Sequence, residues 1–178
     1  MARAHDAPDV LVVVSDTHAT DGHALRARTR EAVRDADLVI HAGDFTTEAA
    51  LDAFHEEAAE LLAVYGNADG PAVRDRLPPA RTVETLGLQI AVTHRRDGGA
   101  TGLAMFGRSQ DADLVVSGHS HRPSVTDAGD CLLVNPGSHA DPRGNRPAHA
   151  ELEADGGGVE GRLVQPDGTV FERFRIDG

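Results

Sequence analysis

Short runs of aliphatic and β-branched residues alternate along the chain with segments whose apolar positions recur every three or four residues. Val10–Val14 is a continuous apolar run, the pattern of a strand covered on both faces. Residues 22–36 set Ala24, Leu25, Ala32 and Val33 among arginines and acids, which predicts an amphipathic surface helix. Leu38–His41 predicts a second strand. Residues 47–60 predict a helix, with Leu51, Phe54 and Ala58 on one face and Thr46 or Thr47 as its cap. Residues 61–65 predict a third strand. After the Pro78-Pro79 break, residues 82–86 and Leu88–Thr93 pair as a hairpin near Gly87, followed by a short helix over 101–110 and a strand over 114–117.

The last third changes character. Residues 124–126 and 131–134 flank the turn Asp127-Ala128-Gly129-Asp130. Residues 148–153, 161–164 and 169–174 then read as antiparallel strands, separated by turns at Gly156-Gly157-Gly158 and Pro166-Asp167-Gly168. A βαβα pattern leading into a β meander predicts an α/β layered sandwich. At 178 residues the chain makes one domain, 1–178, with residues 1–8 as a loose N-terminal tail.

Composition narrows the setting. The longest apolar runs fall far short of the roughly 20 residues of a membrane span, and no basic region precedes a long apolar stretch. The expectation is a cytoplasmic protein with no membrane partner. Net charge is -12 and every one of the 17 basic residues is arginine. That balance fits either a GC-rich genome or a halophilic cytoplasm, where an acidic surface stays hydrated and its self-repulsion is screened. It disfavours a broad nucleic-acid-binding surface, yet not a phosphorylated substrate, because bound cations reverse the local field. The single Cys131 excludes an intrachain disulfide and a multi-thiolate zinc site, and it reads as a core residue.

The chemistry is written at the strand ends. Five apolar runs end directly on metal-ligand residue types: Asp16 and His18, Asp44, Asn67, His94, then His119 and His121. In an open α/β sheet, ligands gather beyond the carboxyl ends of strands. The Asp16/His18 and His119/His121 pairs, two residues apart, point to one side if the backbone is extended. Gly43, Gly66 and Gly118 sit beside the ligands, where the chain turns sharply. Two carboxylates, an amide oxygen and four imidazoles without a thiolate suit Mn, Fe, Co, Ni or Zn better than Ca or Mg.

Taken as an ordered set, Asp16-x-His18, Gly43-Asp44, Gly66-Asn67-x-Asp69, Thr93-His94 and Gly118-His119-x-His121 resemble the blocks of the calcineurin-like metallophosphoesterases. Small size and Asn135-Pro136-Gly137-Ser138 make the chain most similar to the compact bacterial and archaeal phosphodiesterase branch, which also includes a relative of the retromer subunit. The resemblance implies an α-β-β-α sandwich of two mixed sheets flanked by helices. It implies two divalent metal ions, manganese first among the candidates: Asp16, His18 and His121 hold one, Asn67, His94 and His119 the other, and Asp44 bridges both. Such a pair clamps a phosphoryl group and supplies a bridging hydroxide to attack phosphorus. The implied catalytic residues are Asp44, Asn67, Asp69 and His94. Asp69 is expected to orient His94 or a neighbouring loop.

Two positions depart from the family pattern. Larger phosphoprotein phosphatases of the superfamily carry a histidine after the Asn, where this chain has Ala68, so leaving-group protonation must come from water or elsewhere. The His94 block continues Arg95-Arg96-Asp97 rather than Gly-x-His; Arg95 either binds a substrate phosphate, alongside Asn67, or is a surface charge. Of the remaining histidines, His41 reads as a hydrogen-bonded support, His139 as a loop residue that either faces the crevice or is structural, and His5, His23, His55 and His149 as surface residues. Tyr65 and Phe45 either border the pocket or belong to the core. The reading is a metal-dependent phosphodiesterase acting on a phosphorylated small molecule or nucleotide. The alternatives are a phosphomonoesterase and a catalytically weak metal-binding scaffold for protein–protein contacts; a homo-oligomer stays open.

Overall fold

The computed structural model describes residues 10–177; the tail at 1–8 and His5 lie outside them. Two mixed sheets stack face to face. The first has the order β11-β10-β9-β1-β2-β3 and the second β4-β5-β6-β8-β7. In the first, β1 (Val10–Val14), β2 (Leu38–His41) and β3 (Leu61–Ala63) run parallel. The antiparallel meander β9 (His149–Ala154), β10 (Gly158–Val164) and β11 (Val170–Asp177) extends it from β1. In the second, β5 (Leu88–Thr93), β6 (Leu114–Val116) and β8 (Leu132–Asn135) are parallel, with β4 (Ala80–Thr85) and β7 (Ser124–Asp127) as antiparallel edges.

The period-two pleat explains why the central strands are apolar throughout. Leu11, Val13, Ile40, Ile90, Val92, Leu114 and Val116 point between the sheets and form the main core. The alternate positions Val12, Val14 and Val39 point outward onto α1 (Ala27–Asp35) and α2 (Glu48–Glu57), around Val33, Leu51 and Phe54. On the far side Ala91, Val115 and Leu133 meet α4 (Gly99–Ser109) and Cys131, which is buried as expected. Each fully buried Val, Leu or Ile side chain among them contributes roughly 1.5–3 kcal/mol. The layers are therefore α-β-β-α, as the family resemblance implies.

Differences from the sequence reading have local causes. α1 begins at Ala27 rather than 22, because Gly22 and Ala24 both take positive φ (67° and 59°) and break the turn. α2 is capped by Thr47, whose hydroxyl accepts from the Ala50 N–H at 3.2 Å. The short helix α3 (Pro71–Arg76) was not expected; it buries only Val73 and so leaves no periodic stripe, although Pro at its first turn is a start signal. His149, expected on the surface, is fully buried. Along β9, Ala150 and Leu152 face the core, while His149 and Glu151 lie on the opposite face of the pleat. There His149 Nδ1 lies 2.9 Å from Thr29 Oγ1 of α1, and Glu151 accepts from Arg28 and Arg162. Burial alone would raise the Glu151 carboxyl, but the adjacent His149 imidazole and the Arg28 guanidinium outweigh it and hold the group at about 2.

Candidate metal centre

The carboxyl ends of parallel strands from both sheets open at one edge of the sandwich. The loop after β1 carries Asp16 and His18, that after β2 Asp44 and that after β3 Asn67; the second sheet supplies His94 after β5 and His119 and His121 after β6. Ligand atoms of Asp16, His18 and His121 lie within 4.8 Å of one another, as do those of Asp16, Asp44 and His94. Asp44 Oδ2 is 3.3 Å from both His18 Nε2 and His94 Nε2, one from each half of the expected set. Asn67 Oδ1 lies 2.9 Å from His94 Nε2 and 2.9 Å from His119 Nδ1. His121 Nε2 faces Asp16 Oδ1 at 3.4 Å. All seven expected residues therefore converge.

The backbone here is not the extended one expected for the paired ligands. Asp16, His18, Asp44, His119 and His121 all have positive φ, between 42° and 74°. Non-glycine residues occupy that region rarely and at some cost, which functional sites tolerate. The left-handed turns do what an extended segment was expected to do, folding neighbouring side chains back onto one point.

Each carboxylate has one oxygen tied down and one aimed inward. Asp16 Oδ2 accepts from Ser15 Oγ (2.6 Å) and His119 N (2.9 Å), leaving Oδ1 buried with no hydrogen-bond partner. Asp44 Oδ1 accepts from Ala68 N at 2.8 Å, leaving Oδ2 for the centre. The imidazoles are oriented in the same way. His94 Nδ1 donates to the Ala42 carbonyl (2.7 Å) and His121 Nδ1 to the Asp141 carbonyl (2.5 Å), so each ring turns its Nε2 inward. His18 Nε2 is likewise buried without a hydrogen bond. Inward-facing donor atoms from carboxylate, amide and imidazole, two of them (Asp16 Oδ1 and His18 Nε2) without a hydrogen-bond partner, fit divalent cations.

The electrostatics agree. Burial is the largest influence on Asp44 and would raise its carboxyl, yet the imidazoles of His18 and His94 beside it overcome that and hold the group far below the ordinary carboxylate range. The Asp44 carboxylate beside it raises His18. Burial opposes protonation of His94, but Asp44 and Asp16 together raise it. Burial raises Asp16 and lowers His119. A divalent cation bound here would compete with protons for the same inward-facing nitrogens.

Supporting residues lock the loops together. Asp69 does not touch His94; its carboxylate accepts from the backbone N–H groups of Asp44 (2.9 Å), Thr46 (2.7 Å) and Gly66 (2.7 Å), so it is the neighbouring loop that it orients. His41 accepts from Gly43 N through Nδ1 (3.1 Å), which leaves the proton on Nε2 to donate to Thr17 Oγ1 (3.0 Å). It thus ties the Asp44 loop to the Asp16–His18 loop and stacks on buried Phe45, 3.6 Å between ring centroids. Replacing His41 with Ala is expected to weaken metal binding about 10–100-fold without removing a ligand, measured by calorimetric titration with Mn²⁺. Unchanged affinity would show that the loops hold their geometry alone. Gly43, at φ 103°, has no room for a side chain: a Cβ would lie 2.7 Å from Gly66 N and 2.8 Å from His94 Nδ1.

Sequence reasoning missed several supports. Asn135 donates to the Gly118 carbonyl (3.0 Å) and to Ser120 Oγ (3.0 Å), and so holds the His119–His121 turn. Ser138 Oγ donates to the Asp16 carbonyl at 2.7 Å. Both stand in the Asn135–Ser138 block, whose polar residues at the end of β8 were the available signal. Arg95 is half exposed, pairs only loosely with Asp97 (3.6 Å), and borders the open side of the centre.

His139 does not face the crevice. It is 1% exposed, with Nε2 donating to the Ala24 carbonyl at 3.0 Å. Burial lowers it to about 4, against roughly 6.5 for an ordinary imidazole. An unfolded chain therefore takes up this proton first. The contribution of His139 to stability is complete above pH ~6.5 and is lost as pH falls toward 4, by up to about 3 kcal/mol. His41, fully buried and also lowered by burial, acts in the same direction. In chelator, the melting temperature of His139→Gln should fall less steeply between pH 6.5 and 4 than that of wild type. Parallel curves would contradict this account of His139.

Carboxylates and imidazoles brought together from two stacked sheets define an α/β metalloprotein. A family model described as the calcineurin-like phosphoesterase superfamily domain matches residues 10–156, and the chain belongs to that superfamily. It is similar to a probable metallophosphoesterase of Methanocaldococcus jannaschii, 35% identical over 139 residues that cover 75% of this chain and 70% of that one. It is also similar to a phosphodiesterase of the same organism, 26% identical over 136 residues, covering 70% of this chain and 81% of that one. The fold is shared with Vps29 of Entamoeba histolytica, solved in complex with zinc: TM-score 0.75 at 21% identity, covering 94% of this chain and 98% of that one. Among the described residues no helix is long and apolar enough to cross a membrane.

Proposed function

We propose that the chain hydrolyses phosphodiesters at a centre of two divalent cations, manganese foremost, with nickel, iron, cobalt and zinc compatible with the same donors. The observation that carries this reading is the Asp44 carboxylate oxygen, equally distant from an imidazole of each half-site (3.3 Å and 3.3 Å). Asp16, His18 and His121 would hold one cation and Asn67, His94 and His119 the other, with Asp44 between the two sets. Bound there, two such ions would supply Lewis-acid chemistry toward a phosphoryl group and an activated water at neutral pH. Asn67 and Arg95 position the phosphate, Arg95 through its guanidinium. Asp69, through the backbone it holds, fixes Asp44 relative to the β3 loop. With Ala68 in place of a histidine, the chain offers no proton donor at that position, which favours esters with good leaving groups. The name of the phosphodiesterase relative supports the diester reading.

The scaffold reading is less well supported. Among the described residues Met105 is the one exposed large hydrophobic side chain, and a docking surface calls for a broader apolar patch. The test is hydrolysis of bis(p-nitrophenyl) phosphate by purified protein with Mn²⁺ at high and low salt. Metal-dependent turnover that chelation removes is expected. A folded, metal-loaded protein that leaves both this diester and p-nitrophenyl phosphate intact would overturn the reading in favour of a scaffold.

A further inference from the structure

The open side of the centre is divided. A cavity of about 430 Å³ lies on the His119 side, and one of about 330 Å³ lies on the Asn67 side. Both are in the size range of small-ligand sites, roughly 300–1,000 Å³. They share three lining residues, His94, Arg95 and Arg96, so the two meet along a ridge beside the centre. Each also reaches a different ligand residue, His119 in one and Asn67 in the other, and these two are joined at 2.9 Å. A phosphorus atom held over that seam, beside Arg95, has space for an organic group on either side. A phosphomonoester carries only one such group and would leave one cavity unused.

The two walls differ in chemistry. The larger cavity has an apolar floor that includes Leu103 and Leu133, and a rim of hydroxyls including Ser124 and Thr126. That combination suits a group with one flat apolar face and several hydrogen-bonding positions, as a nucleoside has. The smaller is bounded by Tyr65, Pro79 and Arg74, the last with its guanidinium 5.0 Å from the Tyr65 ring centroid. Flat, largely apolar walls of this kind suit an aryl or heteroaryl group.

We propose that the substrate is an asymmetric phosphodiester with two organic arms, a hydroxyl-bearing group of nucleoside size against Leu103, Ser124 and Thr126, and a flat group against Tyr65 and Pro79. This rests on the diesterase reading above and adds the residues that select the arms. Neither Thr126 nor Ala80 belongs to the metal ligands, so each cavity can be filled separately.

The test uses Mn²⁺-loaded protein and three esters with the same aryl group: p-nitrophenyl phosphate, methyl p-nitrophenyl phosphate and thymidine 5′-p-nitrophenyl phosphate. In wild type, kcat/KM is expected to be at least tenfold higher for the thymidine diester than for the methyl diester, and lowest for the monoester. Thr126→Trp should lower the thymidine-to-methyl ratio at least fivefold, and calorimetry should show weaker binding of thymidine 5′-monophosphate to this variant by a similar factor. Ala80→Trp should reduce kcat/KM for both aryl diesters while leaving their ratio in place. Metal-dependent hydrolysis of the methyl diester with no gain from the nucleoside, and no change of ratio in Thr126→Trp, would overturn the two-arm inference and leave the diesterase reading standing. Hydrolysis of the monoester alone would overturn both.

Discussion

Replacing Asp44 with Asn is expected to lower metal-dependent phosphodiester hydrolysis about a thousandfold or more. The substitution keeps size and shape. An amide oxygen can still accept from Ala68 N, the bond that Asp44 Oδ1 now makes at 2.8 Å, so the loop has no reason to move. What disappears is the charge on the inner oxygen, which faces His18 and His94 at 3.3 Å each. An amide cannot offset the mutual repulsion of two divalent ions, and the several kcal/mol of transition-state stabilisation that the pair supplies goes with it. The same change removes the partner that raises His18. The variant should therefore melt near the wild-type temperature in chelator but lose most of the stabilisation that Mn²⁺ gives wild type. Activity within tenfold of wild type would mean that Asp44 does not bridge two ions.

The second large effect is on stability. Asp69→Ala should destabilise the fold by about 4 kcal/mol and lower the melting temperature by about 10 °C. Its carboxylate is buried and accepts from three backbone N–H groups on two different loops, those of Asp44, Thr46 and Gly66. Hydrogen bonds to a charged acceptor contribute roughly 1.5–3 kcal/mol each, and the donors left behind pay their desolvation without a partner. Release of the Gly66 turn also frees Asn67, so metal affinity should drop about 10–100-fold as well. Thermal melts with and without Mn²⁺ separate the two consequences. A melting temperature within 2 °C of wild type would show that water replaces the carboxylate at little cost.

Much of this molecule is legible in its sequence, for identifiable reasons. The strands that carry ligands are buried on both faces, so they stand out as unbroken apolar runs such as Val10–Val14 and end abruptly on Asp or His. Ligand identity is legible because chemistry restricts it to a few residue types at those ends. The path of the backbone between ligands is less so: nothing in Asp16-Thr17-His18 announces positive φ at both ends, since that conformation is imposed by neighbouring loops. Burial of His149 was missed for a related reason. Its partners Thr29 and Glu151 lie 120 residues back and two residues on, and only the packing of α1 on β9 reveals a polar layer there. The short helix at Pro71–Arg76 buries one residue and leaves no stripe to read. Arg95 was visible as a departure from the family pattern, while its place on a ridge between two cavities needed the fold.

The most direct test of the two-cation centre is to count metal per chain. Protein stripped of metal, then reloaded with Mn²⁺ and desalted, is assayed by elemental analysis alongside diester hydrolysis, in wild type and in variants that remove one ligand from each half, His121→Ala and His119→Ala. The expected result is two ions per wild-type chain, with activity rising to its maximum only as the second site fills, and about one ion per chain with little activity in each variant. One ion per fully active wild-type chain, or full activity in either variant, would contradict the two-metal account.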